Sequence, residues 1–323
     1  MKPEIGRPIP QELGSVHFIG VAGSGMSGIA RVLKEKGLSV TGSDRADSEV
    51  AASLRDAGIP VFIGHDATQV GPADTVVVSS AVRDNNPELM EAKSRALQIL
   101  HRSEALRWIM QSKTVLAVAG SHGKTTSTAM LASALYRSGR DIGAVNGGVI
   151  SEWGVSSRWG GDDIFVIEAD ESDRSFLGYE PSVVMITNVA PDHLDFYGNL
   201  DAIYDAFEAF ARNASGAIVL CADDEGTRHL ATRLAGAAPV ITYGSDAKAD
   251  LRLVDIHLGA TARFEVSYLG EKATCELGVP GRLNALNATG VIGVLLCAGM
   301  SLAAAAAAVG GFQGADRRFQ FHG

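Results

Sequence analysis

The sequence is poor in several things, and each shortage removes a class of protein. Aromatic residues make up 6% of the 323 positions, and the cysteines are three, Cys221, Cys275 and Cys297, widely spaced in apolar surroundings. A disulfide-stapled secreted domain is thereby excluded, and the thiols read as buried and reduced, as a cytoplasm would keep them. Positive charge is in deficit: 28 Lys and Arg against 37 Asp and Glu leave a net charge of −9. That balance argues against a nucleic-acid partner or an anionic membrane surface, although a local basic site for a nucleotide is compatible with it. No apolar run reaches the roughly 18 residues that a membrane span needs. Met1 to Leu13 holds three prolines and no apolar stretch, so no secretory leader is expected. There is no repeat of fixed period, and the alanine run from Ala303 to Ala308 is simply a strong helix former.

What is present is the composition of a soluble globular protein, 46% hydrophobic and 20% charged, in a chain too long for one ordinary core. Two domains are expected. The stretch that organises the chain is Thr114 to Thr128, TVLAVAGSHGKTTST. Val115 to Ala119 has the apolar, β-branched character of a buried central strand. It breaks into Gly120, Ser121, His122, Gly123, Lys124, Thr125 and Thr126, and apolar residues then recur at helical spacing. Strand, glycine loop and helix in this order make an anion site, because unpaired N–H groups at the helix start point at a phosphate. Lys124 would reach the outer phosphates and the Thr125 hydroxyl would hold Mg²⁺. Val118 stands where the general phosphate-loop pattern has its first glycine.

A second phosphate-binding turn lies near the start. Ser15 to Gly20 reads as a strand, Gly23, Gly25 and Gly28 satisfy G-x-G-x-x-G, and Ile29 to Lys36 continues as a helix closed by Gly37. Leu38 to Gly42 is the next strand, ending at Ser43-Asp44. An acid at that strand tip completes a unit able to hold a dinucleotide or the pyrophosphate of a nucleotide sugar. Helices and strands go on alternating to Gln111, which predicts a Rossmann-like parallel sheet over residues 1–111. Residues 112–323 are expected to form a phosphate-loop-type, mostly parallel α/β ATPase domain, with a small antiparallel region between Leu251 and Leu277 where period-two alternation takes over.

In this second domain, acids follow the strand ends. Glu168 closes the apolar run DIFVIEA, and a buried carboxylate there needs a cation. Asp170 to Asp173 reads as a solvated loop for most of its members. Asp192-His193 follows another strand; His193 is either a metal ligand or a hydrogen-bonded loop histidine. Asn284 and Asn287 lie three apart at the start of a helix, facing a nucleotide, or capping the helix in the case of Asn284. Arg317 and Arg318 are either a phosphate clamp or a surface pair.

In combination, GSHGKTT at Gly120 to Thr126, EADESD at Glu168 to Asp173, TNVAPDHLD at Thr187 to Asp195, the Asn284/Asn287 pair and DRRF at Asp316 to Phe319 resemble the Mur ligase family. GVAGSGMSG at Gly20 to Gly28, GSD at Gly42 to Asp44 and SSAV at Ser79 to Val82 are similar to the member that joins L-alanine to UDP-N-acetylmuramate. The resemblance implies ATP and Mg²⁺ in the second domain and the sugar nucleotide in the first. It implies Lys124, Glu168 and His193 at the chemistry, Thr125, Glu168 and His193 at the metal, and the loop Gly120 to Thr126 with Asn284, Asn287 and Arg317 around the nucleotide. For the sugar nucleotide it implies Gly23, Ser24, Gly25, Met26 and Ser27, with Ser43, Asp44, His65, Ser79 and Ser80 at neighbouring strand ends. It further implies a monomer or homodimer and a third, C-terminal, amino-acid-binding domain beyond this chain, without which the stretch is expected to bind substrate but ligate weakly or not at all. Three other readings remain open at this point: a peptide-recycling ligase of the same family, a nicotinamide-dependent oxidoreductase using Gly23 to Gly28 and Asp44, and a catalytically silent nucleotide sensor.

Overall fold

The computed structural model describes residues 4–23 and 25–316. Contacts divide these into two units: residues up to Ser112 with Ser156–Trp159, and Lys113–Val155 with residues 160–316.

The first unit is an all-parallel five-stranded sheet in the order β3-β2-β1-β4-β5. Its strands are β1 (Val16–Ile19), β2 (Val40–Asp44), β3 (Val61–Ile63), β4 (Thr75–Val78) and β5 (Gln98–His101), and its helices α1 (Met26–Glu35), α2 (Glu49–Asp56), α3 (Pro87–Ser94) and α4 (Arg102–Met110). β1 and β4 are buried along their whole length, which explains their unbroken apolar character. The strand order reverses between β1 and β4, so the ligand crevice of this unit lies outside their carboxyl ends.

The second unit has β6 (Thr114–Ala119) in the interior of a larger sheet, between β9 (Ile164–Glu168) and β10 (Val183–Ile186). β7 (Gly143–Ile150) lies outside β9, and β8 (Val155–Arg158) follows β7 in the chain. On the other side come β11 (Ala217–Cys221), β12 (Val240–Gly244), β13 (Leu251–Leu258), β14 (Ala262–Tyr268) and β15 (Glu271–Leu277). Pairing is parallel from β7 to β13 and antiparallel through β14 and β15, the hairpin region that the alternation predicts. The helices are α5 (Lys124–Arg137), α6 (Leu194–Tyr197), α7 (Leu200–Arg212), α8 (Glu225–Arg233), α9 (Arg282–Cys297) and α10 (Leu302–Gly310). β8, β12, α6 and α8 are additions to the sequence reading. Among the described residues no helix is long and apolar enough to cross a membrane.

α5 from Ser127 to Leu135 and α9 from Ala288 to Leu295 are buried on every face, packing with Met185, Val219 and Tyr243 of the sheet into one core. Gly290 sets how closely α9 approaches: a Cβ there would collide with the Met185 methyl and lie 2.6 Å from the Tyr243 ring. The Met185 end can move and the enclosed tyrosine cannot. Gly290→Ala is therefore expected to destabilise the second unit by about 1–3 kcal/mol through overpacking. Chemical denaturation followed on that unit measures it, and an unchanged midpoint would show that α9 floats over the sheet.

Candidate active site

The phosphate loop is built by backbone geometry. Gly120 has φ of 132° and Gly123 φ of 85°, both outside what a side chain tolerates comfortably. The exit of β10 then clamps the turn. Asn188 accepts from the His122 N–H through Oδ1 (2.9 Å) and donates from Nδ2 to the His122 carbonyl (2.8 Å), while Thr187 Oγ1 donates to the same carbonyl at 2.6 Å. Ser121 donates its N–H to the Asn188 carbonyl (3.1 Å), and its Oγ accepts from the Ala190 N–H (2.9 Å). Past this clamp α5 begins with no side-chain cap and no acidic residue in its first turn. Its first N–H groups and the positive end of its dipole are left to an anion.

Lys124 folds back over the loop. Its Nζ donates to the carbonyl of Gly120 at 2.6 Å and lies 2.9–3.0 Å from both carboxylate oxygens of Glu171. Glu171 is buried, which corrects the reading of Asp170 to Asp173 as solvated at this one position. Its neighbours Asp170, Ser172 and Asp173 are half-buried. Burial raises the Glu171 pKa, and Lys124 only partly opposes that. Tyr197 donates its hydroxyl to the Glu171 carbonyl at 2.5 Å, and burial pushes that phenol up to about 12.

Glu168 ends β9 beside the loop. It accepts from Thr125 Oγ1 (3.0 Å) and from the Gly147 N–H (2.7 Å), and a side chain on Gly147 would meet it at 2.7 Å. Burial still outweighs these donors and raises its pKa. His193 stands at the start of α6 with φ of 53°, its N–H donating to Asp192 Oδ1 at 2.8 Å. One ligand atom each from Glu171, Asp192 and His193 lies within 4.8 Å of the others. The structure thus pairs Thr125 with Glu168, Lys124 with Glu171, and His193 with Glu171 and Asp192. The two asparagines diverge: Asn287 lies against Gly123, 3.2 Å from where its Cβ would be, whereas Asn284 Nδ2 donates to the Pro280 carbonyl at 2.7 Å, a local turn bond. Thr126 is in the first turn of α5; Arg317 and Ser24 lie outside the described residues.

In the first unit, Gly23, Gly25, Met26 and Ser27 form the turn from β1 into α1, with Gly25 at φ 76°. Asp44 Oδ2 accepts from the Ala22 N–H at 2.9 Å and so holds the turn against β2. A side chain on Gly25 would meet the Arg102 guanidinium at 2.9 Å, which places a cation beside the turn that the sequence reading did not single out. Ser79 leaves β4, and Ser80 Oγ bonds His101 Nε2 at 3.0 Å. Ser43 and His65 both reach Glu88, at 2.7 Å each. Neither Glu88 nor its other partner His17 carries a motif, and both were missed for that reason. The three cysteines are free, Cys221 and Cys275 buried and Cys297 half-buried; burial raises the first two thiols to about 11 and about 12.

Comparison with known proteins identifies the family. Residues 15–114 match the family model "Mur ligase family, catalytic domain" and residues 118–295 the "Mur ligase middle domain". Over 320 residues the chain is 49% identical to the UDP-N-acetylmuramate--L-alanine ligase of Clavibacter michiganensis, covering 99% of this chain and 67% of that protein. The crystal structure of UDP-N-acetylmuramate-alanine ligase from Thermotoga maritima superposes with a TM-score of 0.83 at 34% identity, over 95% of this chain and 70% of that one. A UDP-N-acetylmuramate:L-alanyl-gamma-D-glutamyl-meso-diaminopimelate ligase from Neisseria meningitides also superposes at 0.83, with 28% identity over 93% of this chain and 98% of that one.

The raised pKa of Glu168 has a consequence for stability. The folded protein keeps a proton there at pH values where the unfolded chain has lost it, so this residue makes the fold less stable as pH rises from the ordinary carboxylate value through the raised one. Glu168→Gln removes the penalty, since the amide can accept from Gly147 and donate to Thr125. The variant should unfold at a higher temperature than the parent at neutral pH, and the difference should vanish on acidification below the ordinary carboxylate value. A difference that stays constant with pH would refute this account of Glu168.

Proposed function

The chain belongs to the Mur ligase family, and from that premise we propose that it joins L-alanine to the lactyl carboxylate of UDP-N-acetylmuramate in an ATP-driven step of peptidoglycan synthesis. The observation that carries the reading is the uncapped start of α5 with Lys124 folded over it, next to two carboxylates of raised pKa. A lactyl carboxylate oxygen attacks the γ-phosphate, ADP leaves, and an acyl phosphate results. The amine of L-alanine then adds to the acyl carbon, loses a proton and expels phosphate. No side-chain nucleophile is required, so the protein's work is positioning and charge neutralisation.

ATP fits the loop because the N–H groups of α5 and the Lys124 ammonium converge without a competing acidic cap. Mg²⁺ fits the oxygen donors Thr125 and Glu168, with His193, Asp192 and Glu171 nearby, and would neutralise charge on the nucleotide phosphates. Within that frame Lys124 neutralises the transferring phosphoryl group, Asn287 borders the nucleotide over Gly123, and Gly23, Gly25, Arg102 and the β2 and β4 exits hold the sugar nucleotide. The peptide-recycling reaction is the second reading; 49% identity to an alanine ligase against 28% to the peptide ligase favours the first. A nicotinamide oxidoreductase would leave the phosphate loop of the second unit without a task.

Binding is the direct test, because the chain spans 67% of the length of the Clavibacter relative. Calorimetric titration should show UDP-N-acetylmuramate binding well above UMP, and no binding of NADH. Binding of NADH without the sugar nucleotide would move the oxidoreductase reading to the front. Lys124→Ala should weaken MgATP by roughly ten- to a hundredfold, the loss of a charge-assisted hydrogen bond, and leave the sugar nucleotide unaffected.

A further inference from the structure

Glu88 of α3 is fully buried and collects three donors from separate elements. His17 Nε2 on β1 and Ser43 Oγ on β2 each reach its Oε2 at 2.7 Å, and His65 Nδ1, just past β3, reaches its Oε1 at 2.7 Å. Burial alone would raise this carboxyl, but the bonds from His17, Ser43 and His65 more than offset it and hold the pKa below the usual value. It is therefore a carboxylate, which only accepts, so every partner must donate.

That requirement fixes the protons. Ser43 has one and gives it to Oε2. His17 donates from Nε2, and its Nδ1 faces Thr41 Oγ1 at 2.8 Å, so both its nitrogens are occupied. His65 must carry a proton on Nδ1, which also lies 3.1 Å from Ser43 Oγ and can share that proton with it; in this Nδ1–H tautomer Nε2 holds the lone pair. Among the described residues nothing donates to that Nε2, and the side chain is 26% exposed. His65 stands at the exit of β3, which pairs with the Ser43–Asp44 end of β2, on the rim of the crevice of the first unit.

The geometry points to Glu88 as a positioning residue that fixes His65 in its Nδ1–H form, so that Nε2 accepts a hydrogen bond from an N–H or O–H of the sugar nucleotide. Phosphate oxygens, which only accept, are thereby excluded as the partner of this nitrogen. The inference rests on the sugar-nucleotide reading of the first unit, whereas the tautomer itself does not depend on any ligand.

The test uses the whole chain labelled with ¹⁵N-histidine, with His65 assigned through His65→Asn. Long-range ¹H–¹⁵N correlation should show the Nδ1–H form in the free protein, and the Nε2 resonance should move upfield on saturation with UDP-N-acetylmuramate. In Glu88→Gln the amide oxygen takes the side with two donors and the NH₂ faces His65, whose proton then shifts to Nε2. The Kd for UDP-N-acetylmuramate should rise about tenfold, one hydrogen bond's worth, while MgADP binding is unchanged. The double variant Glu88→Gln/His65→Asn should bind no more weakly than His65→Asn alone. An Nε2–H tautomer in the parent, an Nε2 resonance unmoved by bound ligand, or additive effects would overturn the inference. The first two need no variant, so a Glu88→Gln protein that fails to fold leaves the test intact. If the parent does not bind the sugar nucleotide at all while showing the Nδ1–H form, the reading of the crevice has failed rather than the tautomer argument, and the ligand role falls with it.

Discussion

Gly120 and the exit of β10 come so close that no side chain fits between them. A Cβ on Gly120 would strike Thr187 Oγ1 and lie 3.0–3.1 Å from the Asn188 backbone. The rest of the second unit's site depends on that approach. Because β6 and β10 are adjacent parallel strands, Thr187 and Asn188 reach the loop as soon as the strand ends, and they consume the polar groups at the base of the turn. The N–H groups above, at the start of α5, are the ones left over. An anion site here is what remains when one side of a turn has been satisfied and the other has not.

Three carboxylates show how donor supply decides charge in a low-dielectric setting. Glu88 has three side-chain donors and is held below its ordinary pKa. Glu168 has one backbone N–H and one hydroxyl, and its pKa is raised. Glu171 has a full ammonium against it and is raised all the same, because burial outweighs what Lys124 contributes. Glu88 and Glu171 are buried and Glu168 is half-buried at the end of β9; burial raises each carboxyl, and only at Glu88 do the donors outweigh it.

Legibility in the sequence followed distance along the chain. The phosphate loop, the glycine turn with Asp44, the parallel alternation and the antiparallel edge were readable because strand, turn and helix are contiguous. Glu88 was not, since His17 and Ser43 come from 71 and 45 residues away and α3 shows no motif. Glu171 was hidden by its company: an acid among Asp170, Ser172 and Asp173 reads as solvated, and only Lys124 and Tyr197, from 47 and 26 residues away, enclose it. Asn284 and Asn287 are three apart on one helical face, yet one turns back to Pro280 and the other reaches Gly123, a distinction that spacing does not contain. α8 and β12 escaped because a nine-residue helix and a half-exposed strand give a weak periodic signal.

The pairing of Lys124 with Glu171 links anion to cation binding through charge alone. The ammonium is the counter-charge of a buried acid and, at the same time, the group best placed to meet a polyphosphate at the start of α5. A polyphosphate that draws Lys124 away leaves Glu171 enclosed with a negative charge, which is costly in that setting. Two remedies exist, a proton or a metal ion, and the raised pKa means the proton is already favoured more than usual. A divalent cation held with Asp192 and His193 would supply the same compensation while also neutralising the phosphates. Under the proposed function, nucleotide and metal would then favour each other's binding, because each would remove the electrostatic penalty that the other creates.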